Sequence, residues 1–504
     1  MKYLQGQHIL ILGLGSSGLA MTRWCAQMGA DVTVADTRES PANLQVLKSE
    51  LPEVQFKSGP FAANLIEGTS VRAVFASPGL APIETLPVIE AAQAMGLWVG
   101  GELSLFVQAL ENLKATRDYA PQVLAITGTN GKTTVTALTG QLIERAGKTV
   151  KVAGNIGPTL LDSLRLSMTT ELPEVWVLEL SSFQLDNAGP FEPSAATVLN
   201  ITQDHLDWHG NMAAYAAAKE KIFGASSLMV LNRDDARVMA MLPEPVRAKL
   251  QKPVVRAHVT YGAEMPQRPG DFGLETVNGM TWLVRALEAD ETRRLRKGEV
   301  EEIHIQRLMP ADALRIRGRH NAVNALAALA LATSTGASLA SMLFGLREYK
   351  GEPHRVEPVA IVNEVEYFDD SKGTNVGATV AALLGLGAER RVVVILGGEG
   401  KGQDFSPLAE PVARYARAVV LIGRDAPLIR EEIKACGVPL IDASTLPEAV
   451  NAAKNMAQAG DAVLLSPACA SFDMFRDYPH RAQVFCQAVA EIAEAAGQVM
   501  EASL

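Results

Sequence analysis

A short glycine-containing segment has the residue types of a phosphate-binding loop. Residues 126–138 read ITGTNGKTTVTAL, in which Lys132 and Thr133 follow a glycine. In such a loop backbone N–H groups surround the phosphates, the lysine contacts their outer oxygens and the hydroxyl reaches a magnesium ion. The usual loop has four residues between its glycines, whereas only two separate Gly128 from Gly131. The segment therefore predicts a shortened NTP site, with a decayed site or a chance match as the alternatives.

A second glycine-rich segment lies near the start of the chain. GLGSSG, residues 13–18, follows an apolar run, and Asp36 ends the next such run. This is the order of a Rossmann dinucleotide site, where glycines permit a tight turn and a helix N-terminus attracts a diphosphate. Any nucleotide diphosphate suits this motif. An NAD-dependent dehydrogenase, a non-catalytic nucleotide-binding protein and a turn that only packs a strand on a helix therefore remain open at this point.

Both motifs belong to a repeating pattern of strands and helices. Apolar runs alternate with Ala-rich stretches along the chain, which predicts an α/β protein with parallel sheets covered by helices. The runs are HILILGLG, VTVAD, AVFASPG, QVLAITG, EVWVLELSS, ATVLNIT, VVVILGG, AVVLIG and AVLLSPA. Ligands of open α/β sheets bind at the carboxyl ends of the strands. Functional residues are therefore expected just after each run.

The length of 504 residues predicts about three domains. The polar segment 111–122 ends in proline and is predicted to be a linker, and a second break is predicted near 347–355. The densely charged segment 286–302 is predicted to be a solvated hairpin or loop without chemistry. The predicted domains are 1–115, 116–350 and 351–504.

Charge and hydropathy exclude some classes of partner. Lys and Arg number 46 against 56 Asp and Glu, a net charge of −10, which disfavours nucleic acid as a main partner. No apolar run is long enough to predict a membrane span. The first residues predict a strand rather than a signal peptide, so a cytoplasmic location is expected. The four cysteines lack CxxC spacing and are expected to be free thiols.

Several further motifs accompany the phosphate loop. They are GNIG (154–157), LELSSFQL (178–185), LNITQDHLDWHG (199–210), YAAAKEKIF (215–223), GRHNAVNALAA (318–328), PHRVE, DDSKGTN, LGGEGKGQDF and SPACASFDMF. Together with TGTNGKTT, this set resembles the Mur ligases of bacterial cell-wall synthesis and their folylpolyglutamate synthetase relatives. The resemblance implies that the shortened loop is complete. It covers most of the chain except about 233–315, where nothing is carried over.

The resemblance implies a fold and a reaction. The expected fold is a Rossmann-like UDP-binding domain, a central P-loop ATPase-type α/β domain and a C-terminal Rossmann-like α/β domain that binds the amino acid. The motifs look most like the branch of the family that adds D-glutamate to UDP-N-acetylmuramoyl-L-alanine through an acyl phosphate, using ATP and Mg²⁺. A sibling ligase that adds another amino acid, or a folate-glutamylating enzyme, is the near alternative. The absence of a DNPR string disfavours a diaminopimelate-adding enzyme. A monomer is expected.

The resemblance also assigns residues to ATP and metal. The ATP candidates are Gly128, Thr129, Asn130, Gly131, Lys132, Thr133, Thr134, Asn321, Asn324, His354, Arg355 and Asp370. Two Mg²⁺ sites are implied, with Thr133, Glu179, His205 and Lys219 as ligands. An ammonium cannot bind a cation, so the family's carbamylated lysine is expected at Lys219, which spacing from Tyr215 selects over Lys221. The residues expected to be catalytic are Lys132, Lys219, His205 and Lys372.

The two substrates receive their own candidates. The UDP-linked substrate is expected at Gly15, Ser16, Ser17, Asp36, Thr37, Arg38, Ser77, Gly79, Asn155, Ser181 and Gln184. D-Glutamate is expected at Lys372, Thr374, Lys401, Ser471, Phe472 and Tyr478. Phe472 stands where leucine is common, Tyr478 where phenylalanine is common, and HRAQ (480–483) replaces an expected Arg-Gly pair. The differences at Phe472 and Tyr478 concern pocket shape rather than the class of reaction, and no consequence is assigned to HRAQ. Domain closure is expected to assemble the site.

Overall fold

The computed structural model describes residues 3–246, 254–289, 302–388 and 390–498. Within these ranges the chain forms three successive parallel or mostly parallel sheets and one small antiparallel sheet. In the described part of the chain, no helix is long and apolar enough to cross a membrane. Most of the charged segment 286–302 lies outside the described residues.

The first unit is a five-stranded parallel sheet in the order β3-β2-β1-β4-β5. Its strands are β1 (His8–Leu12), β2 (Asp31–Asp36), β3 (Gln55–Ser58), β4 (Val71–Ala76) and β5 (Trp98–Gly100). Its helices are α1 (Ser16–Gln27), α2 (Leu44–Glu50), α3 (Pro82–Ala94) and α4 (Glu102–Arg117). Helices on both faces explain why β1 is an almost continuous apolar run.

The central unit contains a six-stranded parallel sheet in the order β11-β10-β9-β6-β8-β7. Its strands are β6 (Gln122–Thr127), β7 (Val150–Gly154), β8 (Val175–Glu179), β9 (Ala195–Val198), β10 (Leu228–Asn232) and β11 (His258–Tyr261). Its helices are α5 (Lys132–Arg145), α6 (Leu160–Thr169), α7 (Ser182–Asp186), α8 (Leu206–His209), α9 (Met212–Glu220), α10 (Ala236–Met239), α11 (Arg319–Thr333) and α12 (Leu339–Glu348). The order places β6 between β9 and β8, so their carboxyl ends meet around the phosphate loop.

A small antiparallel sheet lies between β11 and α11 in the sequence. It consists of β12 (Phe272–Val277), β13 (Met280–Glu288) and β14 (Ile303–Pro310). Phe272, Leu274 and Leu283 are buried and pack in one cluster with α5 and α11. The sheet therefore covers α5 and α11 of the central unit.

The third unit has a six-stranded sheet in the order β15-β16-β20-β17-β18-β19, parallel except for the β15–β16 pair. Its strands are β15 (Glu357–Val362), β16 (Val365–Asp369), β17 (Val392–Gly397), β18 (Ala416–Ile422), β19 (Leu440–Asp442) and β20 (Ala462–Leu465). Its helices are α13 (Val376–Gly387), α14 (Ala409–Tyr415), α15 (Ala426–Ile433), α16 (Leu446–Met456) and α17 (Tyr478–Ala495). Short 3₁₀ turns occur at Ala63–Leu65, Lys221–Phe223, Ala311–Ala313, Ser406–Leu408 and Lys434–Cys436.

The first and central units share one apolar core. Trp24 and Phe106 of the first unit belong to the same buried cluster as Leu160 and Trp176 of the central unit. Phe106 meets Trp176 edge to face, with ring centroids 5.3 Å apart. The third unit buries its apolar side chains in two clusters of its own, on either face of its sheet.

The prediction of a linker at 111–122 is wrong for its first part. Helix α4 continues through Arg117, and β6 begins at Gln122. Leu113 is buried in the core shared by the first two units. Tertiary burial of one face thus keeps a polar segment helical. The domain boundaries themselves stay predictions.

Glu102 is a buried carboxylate at the junction of the first two units. It begins α4, is 2% exposed, and its Oε1 accepts a hydrogen bond of 2.9 Å from Leu161 N in α6. Burial raises the pKa of Glu102 to about 7, and the hydrogen bond from Leu161 opposes this rise. The nearby carboxylate of Asp162 adds to the rise.

We expect Glu102→Gln to raise the free energy of unfolding at alkaline pH. The pKa of Glu102 is 4.5 in the unfolded chain and about 7 in the folded protein. The stability that this carboxyl contributes is therefore fully present below pH 4.5 and is lost as the pH rises through about 7, where the buried group ionises. Glutamine keeps an oxygen for Leu161 N–H and does not ionise. The gain should reach about 2–3 kcal/mol at pH 8 and shrink towards pH 5. Urea unfolding at both pH values measures it, with the exposed Glu111→Gln on the same helix as control. A gain independent of pH would contradict this assignment.

Candidate active site

The phosphate loop joins the end of β6 to the start of α5. Gly128 and Gly131 have φ of 152° and 83°, which other residues rarely adopt. A Cβ at Gly131 would lie 2.9 Å from Asn324 Oδ1 of α11, and one at Gly128 would lie 2.9 Å from Leu199 Cβ. The loop is therefore tight because neighbouring elements press on it from two sides, and glycine alone fits.

Lys132 folds back over this loop. Its Nζ donates to Gly128 O at 3.0 Å and to Thr129 O at 2.9 Å. Burial lowers the pKa of Lys132, with the carboxylates of Glu179 and Asp204 acting in the opposite direction. Phosphate oxygens are better partners for an ammonium than carbonyl oxygens. The ammonium is thus placed to exchange its two carbonyl partners for an incoming phosphate.

Two cations from the third unit reach the first turn of α5. Thr133 Oγ1 accepts from an Arg355 Nη2 at 2.8 Å and from Lys372 Nζ at 3.3 Å. Burial lowers the pKa of Lys372 to about 8, and the neighbouring Arg355 charge adds to this. Three cations around one helix N-terminus suit a ligand with several negative charges. Both lone pairs of Thr133 are used here, so a metal ion could bind this hydroxyl only after these bonds are exchanged.

Glu179 ends β8 beside the loop. It is 1% exposed, and its Oε1 accepts from Asn155 Nδ2 at 2.8 Å. Its other oxygen, Oε2, is buried and finds no hydrogen-bond partner among the described residues. A buried carboxylate oxygen without a partner is unfavourable. Mg²⁺ prefers such oxygens, so the position fits a metal ligand.

Lys219 is buried under the loop, whereas Lys221 is exposed and bonded to Asp186. Lys219 is 1% exposed, and its Nζ donates to Gly128 O at 2.9 Å and to Thr127 Oγ1 at 3.2 Å. Its Nζ also lies 4.7 Å from the ring centroid of Tyr215. Burial lowers the pKa of Lys219 well below its usual value. The structure therefore distinguishes Lys219, which is buried beside the phosphate loop, from the exposed Lys221.

His205 follows β9 on a turn with φ of 51°. Its Nε2 lies 3.5 Å from Asp204 Oδ2, and its ring meets Phe183 edge to face with centroids 4.7 Å apart. Burial lowers the pKa of His205, against the opposing effect of Asp204. A neutral imidazole is the form that binds metals.

A pair of asparagines links the loop to the third unit. Asn130 Nδ2 donates to Asn375 Oδ1 at 3.2 Å, and Asn375 Nδ2 donates to Asn130 Oδ1 at 3.0 Å. A Cβ at Gly377 would come within 3.1 Å of Asn130 Nδ2, so a larger residue there would require the asparagine pair to shift by a few tenths of an ångström. Sequence reasoning missed Asn375, although it directly follows Thr374. Asn200, also missed, binds the backbone N–H and C=O of Asn130 at 2.8 and 3.0 Å.

The predicted adenine residues lie at the same junction. Asn324 Nδ2 donates to Asn321 Oδ1 at 3.2 Å on α11. With Asn130, Gly131, Thr134, Arg355 and Asp370 they line a cavity of about 210 Å³. His354 is outside this lining, and its Nδ1 lies 2.6 Å from Asp369 Oδ2. Seven of the ATP candidates thus lie around one cavity. His354 instead contacts Asp369 at the end of β16 in the third unit.

The candidates for the UDP-linked substrate divide into two groups. Ser77 is beside the glycine turn, since its Oγ would lie 3.6 Å from a Cβ on Gly15, while Thr37, Arg38 and Gly79 are exposed nearby. Asp36 is 1% exposed and accepts from Leu14 N at 2.7 Å and from Arg38. The side chains of Ser181 and Gln184 cap α7 by binding each other's backbone, and Asn155 binds Glu179. Ser16 and Ser17 begin α1. The side chains of Ser181, Gln184 and Asn155 therefore already form hydrogen bonds within the protein.

The D-glutamate candidates surround the carboxyl ends of β16, β17 and β20. Lys372 Nζ lies 5.5 Å from the ring centroid of Tyr478. Ser471 is 2% exposed, whereas Phe472 is 65% exposed. Lys401 is exposed on a turn with φ of 53°, and its charge helps lower the pKa of His205. The candidate residues therefore lie on both the central and the third unit.

Three family models match the chain in sequence order. They are the Mur ligase MurD-like N-terminal domain at 7–101, the Mur ligase middle domain at 126–332 and the Mur ligase glutamate ligase domain at 354–469. The chain belongs to the Mur ligase family. This confirms the resemblance seen in the motifs. The glycine turn at 13–18 lies in the matched N-terminal domain, so the dehydrogenase alternative is rejected.

Relatives of this Mur ligase cover nearly its whole length. It is 70% identical over 502 residues to UDP-N-acetylmuramoylalanine–D-glutamate ligase of Albidiferax ferrireducens, covering 99% of each chain. It is 58% identical over 511 residues to the protein of the same name from Cupriavidus metallidurans, covering 98% and 99%.

Solved structures show the same fold. A UDP-N-acetylmuramate-alanine ligase, MurC, of Thermotoga maritima has a TM-score of 0.54 at 20% identity, over 96% of this chain and 99% of that one. A MurF ligase of the same organism, in complex with ADP, has a TM-score of 0.56 at 16% identity, over 98% and 96%. The predicted α/β fold of the Mur ligases is therefore confirmed.

Proposed function

We propose that this chain is an ATP-dependent ligase that joins D-glutamate to UDP-N-acetylmuramoyl-L-alanine in peptidoglycan precursor synthesis. The observation that carries the proposal is the 70% identity, over nearly the full length, to a relative with that activity in its name. The clustered cations around a short phosphate loop support an ATP-dependent reaction in the same chain. The substrates are small molecules.

The reaction joins a carboxylate to an amine in two balanced steps. The acceptor's L-alanyl carboxylate oxygen attacks the γ-phosphorus of ATP, and the bond from that phosphorus to the β-phosphate oxygen breaks to release ADP. The amine of D-glutamate then attacks the acyl carbon, the bond to phosphate breaks, and the amine loses a proton. Both steps move negative charge between oxygens. Catalysis therefore depends on positioning and on charge neutralisation.

We assign the residues of the phosphate loop, Asn321, Asn324, Arg355 and Asp370 to ATP, because Asn130, Gly131 and Thr134 of the loop line one cavity together with the other four. Lys132 and Lys372 neutralise the transferred phosphoryl group, one from each side of the junction. Lys401, Thr374, Ser471 and Tyr478 hold D-glutamate on the third unit, with Phe472 at its exposed edge. The turn at Gly15 with Ser77, Thr37 and Arg38 holds the UDP part.

The residues around Glu179 fit Mg²⁺. The unpaired Oε2 of Glu179 would be one ligand, and His205 and Lys219 would complete the set for two ions. Lys219 fits this role as a carbamate, because it is buried and its bonds go to uncharged oxygens. Magnesium supplies charge neutralisation on the phosphate oxygens when it is bound. Thr133 joins the set after exchange of its bonds to Arg355 and Lys372.

We also propose three domains with the bounds 1–115, 116–350 and 351–504, each built on one of the three large sheets. A monomer in the cytoplasm is part of the same proposal. The shared core of the first two sheets supports a close union of the first two domains.

The test is phosphate release from ATP and Mg²⁺ with UDP-N-acetylmuramoyl-L-alanine as acceptor. D-Glutamate, L-glutamate, L-alanine and meso-diaminopimelate are compared as the added amino acid. We expect release with D-glutamate alone, and a product heavier by one glutamyl residue in mass spectrometry. Release with a different amino acid would make the chain a sibling ligase, and no release with any of them would reject the acceptor.

A further inference from the structure

Arg481 has a buried guanidinium group, and no role has been assigned to it in the reaction described above. It lies in the first turn of α17 and is 1% exposed. Its three side-chain hydrogen bonds go to uncharged oxygens. Burying a charge is unfavourable unless its donors are used. The bonds of this side chain therefore matter more than those of a surface arginine.

The guanidinium ties together two loops that follow neighbouring strands. Its Nε donates to Ser371 Oγ at 3.0 Å and one Nη to Ser371 O at 2.7 Å, in the loop after β16. Its other Nη donates to Cys469 O at 3.1 Å, in the loop after β20. Ser371 Oγ in turn donates to Tyr478 O at 2.9 Å, which leads back to α17. Arg481 thus connects two loops and the start of a helix.

Each of these three segments carries a D-glutamate candidate. Lys372 adjoins Ser371, Ser471 lies two residues after Cys469, and Tyr478 begins α17. We propose that Arg481 is a positioning residue that sets the geometry of the D-glutamate pocket by holding these segments in register. This inference rests on the proposed function, because that function identifies the pocket.

An arginine suits this task better than a lysine. Its planar fork directs several N–H donors to fixed points, whereas an ammonium on a flexible chain directs a single group. Lysine at 481 could bind one loop at a time. A displacement of about 1 Å in groups that orient a substrate can lower activity by roughly 100-fold.

The experiment compares Arg481→Met and Arg481→Lys with the wild type in steady-state kinetics. We expect the KM for D-glutamate to rise roughly ten- to hundred-fold in Arg481→Met, while the KM values for ATP and for the acceptor change less than about threefold. Arg481→Lys should give an intermediate KM for D-glutamate. If Arg481→Met does not fold, Arg481→Lys alone carries the comparison.

Arg417→Met is the matched control. Arg417 lies in the same unit, has a side chain that is 28% exposed, and binds the buried Asp461 at the amino ends of β18 and β20, away from the three loops. It should lower the melting temperature and leave the KM for D-glutamate unchanged. Arg481 variants that match this control, or that shift all three KM values together, would overturn the proposal. If the wild type uses another amino acid, the proposed function fails, and the KM for that amino acid tests Arg481 in the same way.

Discussion

Lys132→Met is expected to lower kcat/KM for ATP-dependent phosphate release by roughly 1,000-fold. The ammonium now binds two loop carbonyls, at 3.0 and 2.9 Å, and is the side chain best placed to meet the β- and γ-phosphates. Methionine keeps the apolar length of the side chain and removes the charge. The rate should therefore fall much further than the stability.

Lys114→Met, on the exposed face of α4, is the control for removal of a lysine charge. It should retain wild-type kinetics. Calorimetric titration with ATP separates binding from chemistry in both variants. If Lys132→Met kept more than about a tenth of the wild-type kcat/KM, the segment 126–138 would not be the phosphate site, however well its residues match.

Lys219→Ala is expected to lower kcat/KM by roughly 100- to 1,000-fold. Lys219 is 1% exposed beneath the loop, and alanine leaves no group there to bind a cation. Carbamylation gives a direct signal, because ¹³C-labelled bicarbonate should yield a carbamate resonance in the wild type. That resonance should be absent from Lys219→Ala.

Lys221→Ala provides the comparison within the same helix region. Lys221 is exposed and binds Asp186 at 2.7 Å, so its loss should leave both the rate and the carbamate resonance intact. Full activity of Lys219→Ala in saturating bicarbonate would show that the carbamate assignment is wrong. Loss of activity without any labelled resonance in the wild type would leave Lys219 as a plain buried lysine.

Local apolar patterns predicted nine of the twenty described strands, three adjacent inner strands in each of the three large sheets. Each apolar run named in the sequence lies on a strand. A parallel strand covered on both faces is apolar throughout, so a window of a few residues is enough to detect it. The helix through Arg117 was missed because its support comes from Leu113 in a core that two units share. Such support depends on distant residues, which a short window does not contain.

In the candidate site, too, contiguous motifs could be predicted from the sequence, whereas contacts between distant residues could not. The loop at Gly128–Thr133 is contiguous, so its spacing could indicate a shortened phosphate site, and the resemblance to the Mur ligases implied that the loop is complete. The pair Asn130–Asn375 joins residues 245 positions apart, and no local rule links two asparagines over that distance. Arg481 was visible only as part of an unexplained motif, HRAQ. Its hydrogen bonds depend on which loops the sheet brings together.

The unequal joints between the three units have a mechanical consequence. Parting the first two would expose Phe106 and Trp176 to water, at about 25 cal/mol for each Å² of apolar surface. Moving the third away breaks polar contacts such as Asn130–Asn375, each worth about 0.5–1.5 kcal/mol net once water replaces the partner. We therefore expect that displacing the third unit requires less free energy than separating the first two units. The cavity lined by Asn130, Asn321 and Asp370 lies at this weaker joint, so we expect a ligand bound there to add to the contacts that hold the third unit in place.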